Sequence, residues 1–124
     1  MTDAISRADA RRTETPNAVM TTLASPTQGT TSLAVWRVEM KAGKTGPDHA
    51  FDAEQVWTWL SGAATVSVDA RAIDVREGDT LVIPAGVWRQ VHTDAGFTAV
   101  VAAAGGSRVT TKDGRDPFVP PWIA

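Results

Sequence analysis

The sequence predicts an all-β barrel or sandwich. From about Ala18 onward, short runs rich in Val, Thr, Trp and Ile recur, and Gly, Pro, Asp and Ser punctuate them at regular intervals. Beyond the first dozen residues no stretch carries a helical apolar period, and no internal repeat is visible.

Residues 1–15 are polar and charged, with Arg7, Asp9, Arg11, Arg12 and Glu14, and read as a mobile arm or one short helix. An N-terminal arm is therefore set at 1–17, ahead of a barrel domain at 18–104. Its candidate strands are 18–23, 33–40, 55–61, 64–68, 72–75, 80–83, 89–93 and 97–103. Turn chemistry lies between these runs: Lys41-Ala42-Gly43, Ser61-Gly62, Asp69-Ala70-Arg71, Glu77-Gly78-Asp79, Pro84-Ala85-Gly86 and Asp94-Ala95-Gly96. In 33–40, Trp36, Val38 and Met40 alternate onto one apolar face, which reads as core. The remaining 105–124 form a tail whose Pro117, Phe118, Pro120, Pro121 and Trp122 are too stiff and apolar for a free end. It is expected to pack on the barrel, a pocket mouth or a partner, with Trp122 pinning it down.

Composition bounds the function. At 124 residues there is material for one core. Cysteine is absent, which removes disulfides, thiolate nucleophiles and sulfur ligands. Twelve basic against fourteen acidic residues, without a basic stripe, argue against nucleic acid as a partner. No apolar run suits a membrane span and the first residues lack a signal-peptide core, so a cytoplasmic protein is expected. With only two histidines and no tyrosine, groups for proton transfer near neutrality are few.

The densest signal runs from Gly43 through His49, Phe51 and Gln55 to Gly62, followed by Gly78, Pro84, Gly86 and Arg89. The order and spacing of these residues resemble the two motifs of the cupin superfamily, over roughly residues 33–103. Glu54-Gln55-Val56-Trp57 and Pro120-Pro121-Trp122 further resemble a subgroup of small bacterial cupins. The resemblance implies an antiparallel double-sheet jelly-roll β-barrel and a homodimer. It also implies an interior metal site, but three of its ligand positions depart: phenylalanine stands at 51, glutamine at 55 and arginine at 89.

Metal binding needs three or four convergent donors. Phe51 offers none, and Arg89 has only donor hydrogens and a repelling charge. No metal cofactor is therefore expected. The alternative is a divalent transition metal on His49, Gln55 and, if a bulge turned it inward, His92, serving a dioxygenase. If Gln55 points into the barrel, strand alternation sends Trp57 and Trp59 inward with it. The same reasoning sends Arg89, Val91 and Thr93 inward and His92 outward. His49 becomes the candidate general base, Arg89 the cationic oxyanion stabiliser and Gln55 the positioning group. Phe51, Trp57, Trp59, Trp88 and Val91 become the substrate-binding wall for a small aromatic or carboxylate-bearing ligand. Isomerase, cyclase or lyase chemistry follows, with a non-catalytic binding barrel as the further alternative.

Plainer readings stand beside these. His49 hydrogen-bonds a backbone carbonyl; Arg89 pairs with Glu39 or Glu54; Trp57 and Trp59 are core; Asp52 and Glu54 are solvated loop residues. The adjacent Asp48 and His49 diverge in extended chain and form no dyad.

Overall fold

The computed structural model describes residues 3–124. Its strands are β1 (Arg11–Glu14), β2 (Val19–Ala24), β3 (Leu33–Met40), β4 (Lys44–Thr45), β5 (His49–Phe51), β6 (Gln55–Val68), β7 (Arg71–Arg76), β8 (Thr80–Ile83), β9 (Arg89–Thr93), β10 (Phe97–Ala104) and β11 (Val109–Thr111). All pairings are antiparallel, and the main path runs β1-β2-β3-β10-β6-β9-β5-β11. This is the jelly-roll barrel expected. Among the described residues no helix is long and apolar enough to cross a membrane.

Strand β6 joins the two sheets. Its first part pairs with β10 and β8, and its second with β7 and β9. The separate strands expected at 55–61 and 64–68 are thus one continuous strand bent at Gly62, where φ is +77°. A register shift between Thr98 and Ala99 of β10 accompanies the bend, as a bulge does at a barrel corner.

Four short strands, β1, β4, β5 and β11, are not among those expected. Residues 11–14 form a strand against β2, because alternating Arg11 and Thr13 have a sheet edge to join; only a short 3-10 turn, Arg7–Asp9, is helical. The short β5 and β11 pair with each other, so the segment after 104 contributes to the sheet. It then folds back along its own barrel: Thr22 donates to the Trp122 carbonyl at 2.9 Å, Arg11 to the Pro121 carbonyl at 3.1 Å, and Ile123 is fully buried.

Alternation sets the interior. Met20, Trp36, Val38, Trp59, Val66, Ile83, Val101 and Ile123 belong to one buried cluster, and large aromatic groups dominate its area. The β6–β7 hairpin turns through Asp69 (φ +48°) and Ala70 (φ +65°). Both central residues are left-handed, as a type I′ turn demands, and alanine is poorly suited to the second of them. Ala70→Gly is expected to raise Tm by about 2–5 °C, since it relieves about 1 kcal/mol of Cβ strain. A fall in Tm on thermal unfolding would refute that account of the turn.

Candidate functional site

The barrel interior holds a cavity of about 290 Å³. Its floor is built by one cross-strand pair: His49 of β5 lies directly opposite Arg89 of β9. Opposed residues of an antiparallel pair hold their Cβ atoms about 4.5–5.5 Å apart, so the ladder itself brings imidazole and guanidinium together. Arg89, Val91 and Thr93 alternate inward and are buried, while Gln90 and His92 face out.

Arg89 is 1% exposed and has no carboxylate partner among the described residues. Its Nε and Nη2 donate to the Val87 carbonyl, each at 3.2 Å, and Nη2 also donates to the Pro84 carbonyl at 3.0 Å. Nη1 reaches Gln55 Oε1 at 3.4 Å, a long and weak bond. The guanidinium carbon lies 5.4 Å from the centre of the Phe51 ring. Burial pushes its pKa down to about 10 against the opposing pull of Asp69, and it stays charged at neutral pH. The alternative ion pairs with Glu39 or Glu54 do not form: Glu39 binds Arg37 at 3.0 Å on the outside of the sheet, and Glu54 is exposed. Among the described residues no Asp or Glu lines the cavity.

His49 is half-buried, and its Nδ1 lies 2.7 Å from the Pro47 carbonyl. A carbonyl only accepts, so Nδ1 carries the proton and Nε2 keeps a free lone pair. The Phe51 ring meets the imidazole edge-on, with centroids 5.2 Å apart. Burial holds the His49 pKa below its ordinary value; the Pro47 carbonyl opposes this, Arg89 adds to it and Asp48 opposes it weakly.

Gln55 is 1% exposed, and its Oε1 accepts from Trp57 Nε1 at 3.0 Å as well as from Arg89. Phe51, Trp57 and Val91 line the cavity beside it. Trp59 and Trp88 do not. Trp59 is 1% exposed and stacks behind Trp57 at 5.6 Å and 26°, as core. Trp88 sits in the turn before β9, with Lys112 Nζ 4.8 Å from its ring centre. Conversely Trp36, Val38, Met40 and Trp122, assigned to packing, line the cavity, joined by Met20 and Phe118. An inward-facing position in a barrel is core or cavity wall depending on depth, and alternation carries no depth.

The donor set does not fit a transition metal. Of the four positions in the family pattern, His49 alone has a free donor, at Nε2: Gln55 Oε1 already accepts twice, Phe51 has no lone pair, and Arg89 adds a fixed positive charge. His92 does not join them. It faces a separate cleft lined by Ala63, Thr65, Asp74, Arg76 and Asp94, with Thr45 Oγ1 2.6 Å from Nδ1 and Asp94 Oδ1 2.7 Å from Nε2. Among the described residues no three His, Cys, Asp or Glu side chains are grouped to hold a metal ion.

Residues 36–114 match the family model described as cupin domain, and the chain belongs to the cupin family. Among solved structures it is similar to the polyketide cyclase RemF from Streptomyces resistomycificus, with 18% identity over 94% of this chain and 89% of that one, at a TM-score of 0.77. KdgF from Halomonas sp. aligns at 16% identity over 84% and 94% of the two chains, with a TM-score of 0.70. Salicylate 1,2-dioxygenase from Pseudoaminobacter salicylatoxidans, in adducts with gentisate, aligns at 17% identity over 83% of this chain and 31% of its own, with a TM-score of 0.72. At such identities the likeness is one of fold. No curated protein sequence matches the chain.

Proposed function

We propose that this cupin is a small-molecule enzyme that moves a proton next to a carbonyl group, in isomerase, cyclase or lyase chemistry, without a bound transition metal. The observation that carries the reading is the His49–Arg89 cross-strand pair: a neutral base with one nitrogen tied to Pro47 faces a fixed cation. His49 Nε2 takes the proton from the carbon beside the carbonyl, and the electron pair moves onto the carbonyl oxygen. Arg89 stabilises the charge that develops there, and the imidazolium returns its proton to carbon to complete an isomerisation. Gln55 positions the ligand, and Phe51, Trp57 and Val91 grip a small aromatic or carboxylate-bearing body and keep water away. A polyketide cyclase sharing the fold is consistent with this class of chemistry. A dioxygenase reading asks for metal ligands that these side chains do not supply.

The test is deuterium wash-in at the activated carbon of 2-tetralone, a bicyclic ketone scaled to the cavity, followed by NMR. The protein is expected to accelerate exchange after dialysis against chelator. Because His49 is held below its ordinary value near 6.5, kcat/KM should be full at neutral pH, with an acid limb whose midpoint lies below 6.5. Stability follows the same sign. As pH falls through 6.5 the unfolded chain takes up the proton before the folded one, so folding stability drops from there through the lowered folded value. Ketone bound and recovered without exchange would make the protein a binding barrel. Activity lost to chelator and restored by a metal ion would overturn the reading as well.

A further inference from the structure

The Gln55 amide has one side satisfied and one not. Its Oε1 is held by Trp57 Nε1 and Arg89 Nη1, and both of these atoms can only donate. The amide therefore cannot be flipped: oxygen must face them, and the two hydrogens of Nε2 must face away. Nε2 is buried and has no acceptor among the described residues. Arg89 repeats the pattern, since Nε, Nη2 and one side of Nη1 account for four of its five hydrogens and leave one on Nη1. Buried donors without acceptors are rare in native interiors, and these two belong to neighbouring side chains on the wall of one cavity.

Charge points the same way. The cavity carries one permanent cation and no carboxylate among its lining residues, and His49 beside it is held neutral. A bound water would satisfy the hydrogens of Nε2 yet leave the guanidinium uncompensated. A ligand with one anionic oxygen satisfies both. Most of the remaining wall is apolar and aromatic, with Trp36, Trp57, Phe51, Phe118 and Trp122, and the neutral Thr15, Asn17 and Thr111 complete its polar part. The volume of about 290 Å³ equals on the order of ten waters, which suits one or two fused rings.

We infer that Gln55 Nε2 and the remaining Arg89 Nη1 hydrogen form a two-donor oxyanion site, and that it holds a planar aromatic-sized ligand as its monoanion, an enolate or phenolate. The inference deepens the proton-transfer reading, which supplies the origin of such an anion, but binding at the site does not require turnover. A carboxylate offers the same charged oxygen and is separated from the enolate type by the arms of the test.

The probe is 2-naphthol, whose ionised form has the planar shape and oxygen charge of the 2-tetralone enolate and absorbs at longer wavelength than the neutral form. Titrated with the unmodified protein at neutral pH, where free 2-naphthol is neutral, the bound probe is expected to show the naphtholate spectrum. Gln55→Met should lower the ionised fraction about ten-fold or more, and Arg89→Met should abolish ionisation, because hydrogen bonds to a charged group are the strong ones. 2-Naphthoate should compete more weakly than 2-naphthol, because its oxygens sit one atom further from the ring; tighter binding of the carboxylate would overturn the enolate assignment. Bound 2-naphthol that keeps its neutral spectrum, or naphthalene-2-methanol binding as tightly, would overturn the oxyanion site itself. The spectrum of the unmodified protein decides this even if the Arg89 variant does not fold. The two readings fail separately: naphtholate without exchange of 2-tetralone removes the base, and exchange with 2-naphthol bound neutral removes this site.

Discussion

Replacing His49 by alanine is expected to slow exchange of 2-tetralone by about 10²–10⁴-fold, the usual contribution of a positioned base. The loss should fall on kcat with KM little changed, because proton transfer exists only in the transition state. The fold should survive. His49 contributes one side-chain bond, to the Pro47 carbonyl, and an edge contact with Phe51. Losing that bond costs about 1 kcal/mol, while the backbone pairing of β5 with β11 and β9 is untouched. The acid-side fall in stability assigned to His49 should shrink in the variant, since the group that resists protonation is gone. Free imidazole should restore part of the rate by entering the space left behind. A variant that exchanges at the original rate would remove His49 from the chemistry. One that loses 2-naphthol binding as steeply as turnover would make the imidazole a ligand contact instead of a base.

The barrel was legible because its turns are written in residue types that few other structures need. Gly43, Gly78, Pro84 and Gly86 fix where strands stop, and β3, β8 and β9 take the bounds 33–40, 80–83 and 89–93 that those turns set. What escaped was whatever depends on long-range pairing. Arg11–Glu14 is polar and becomes a strand only because β2 offers it an edge. His49–Phe51 is too short to announce itself, yet it sets the His49–Arg89 pair by lying between β9 and β11.

The site was legible by residue type more than by position. His49, Gln55 and Arg89 stand out because each occupies a place in the family pattern, and the fold brings all three to one cavity. The tryptophans divided differently. Trp57 and Trp59 share a face, but only Trp57 meets the cavity, and Trp59 stacks behind it. Trp88 neighbours Arg89 in sequence and consequently points elsewhere. Trp36 and Trp122 reach the cavity from β3 and from the returning tail, and locating the tail requires its bonds to Thr22 and Arg11. No local pattern contains that path.

Gly62→Ala should have the largest effect on stability, lowering it by about 3–5 kcal/mol and Tm by about 10–20 °C. The residue is the corner at which β6 leaves one sheet for the other. It accepts from Glu77 N at 3.1 Å and lies opposite Phe97 of β10. An added Cβ would sit 2.0 Å from the Gly96 carbonyl oxygen and 2.7 Å from the Phe97 Cα, both backbone atoms of the paired strand and its turn, so no side chain can swing aside. To that overlap is added the left-handed strain of alanine at φ +77°. Gly78→Ala separates the two effects. Gly78 has φ +89°, but nothing lies within 4 Å of the point where a Cβ would stand, so it should cost only the conformational share, about 1–2 kcal/mol. If the two variants unfold at the same temperature, close packing of β6 on the β9–β10 turn is not what fixes the corner. Since Gln55 lies on the same strand before the bend and the partners of Arg89's strand lie after it, the geometry of the oxyanion donors would then need another source.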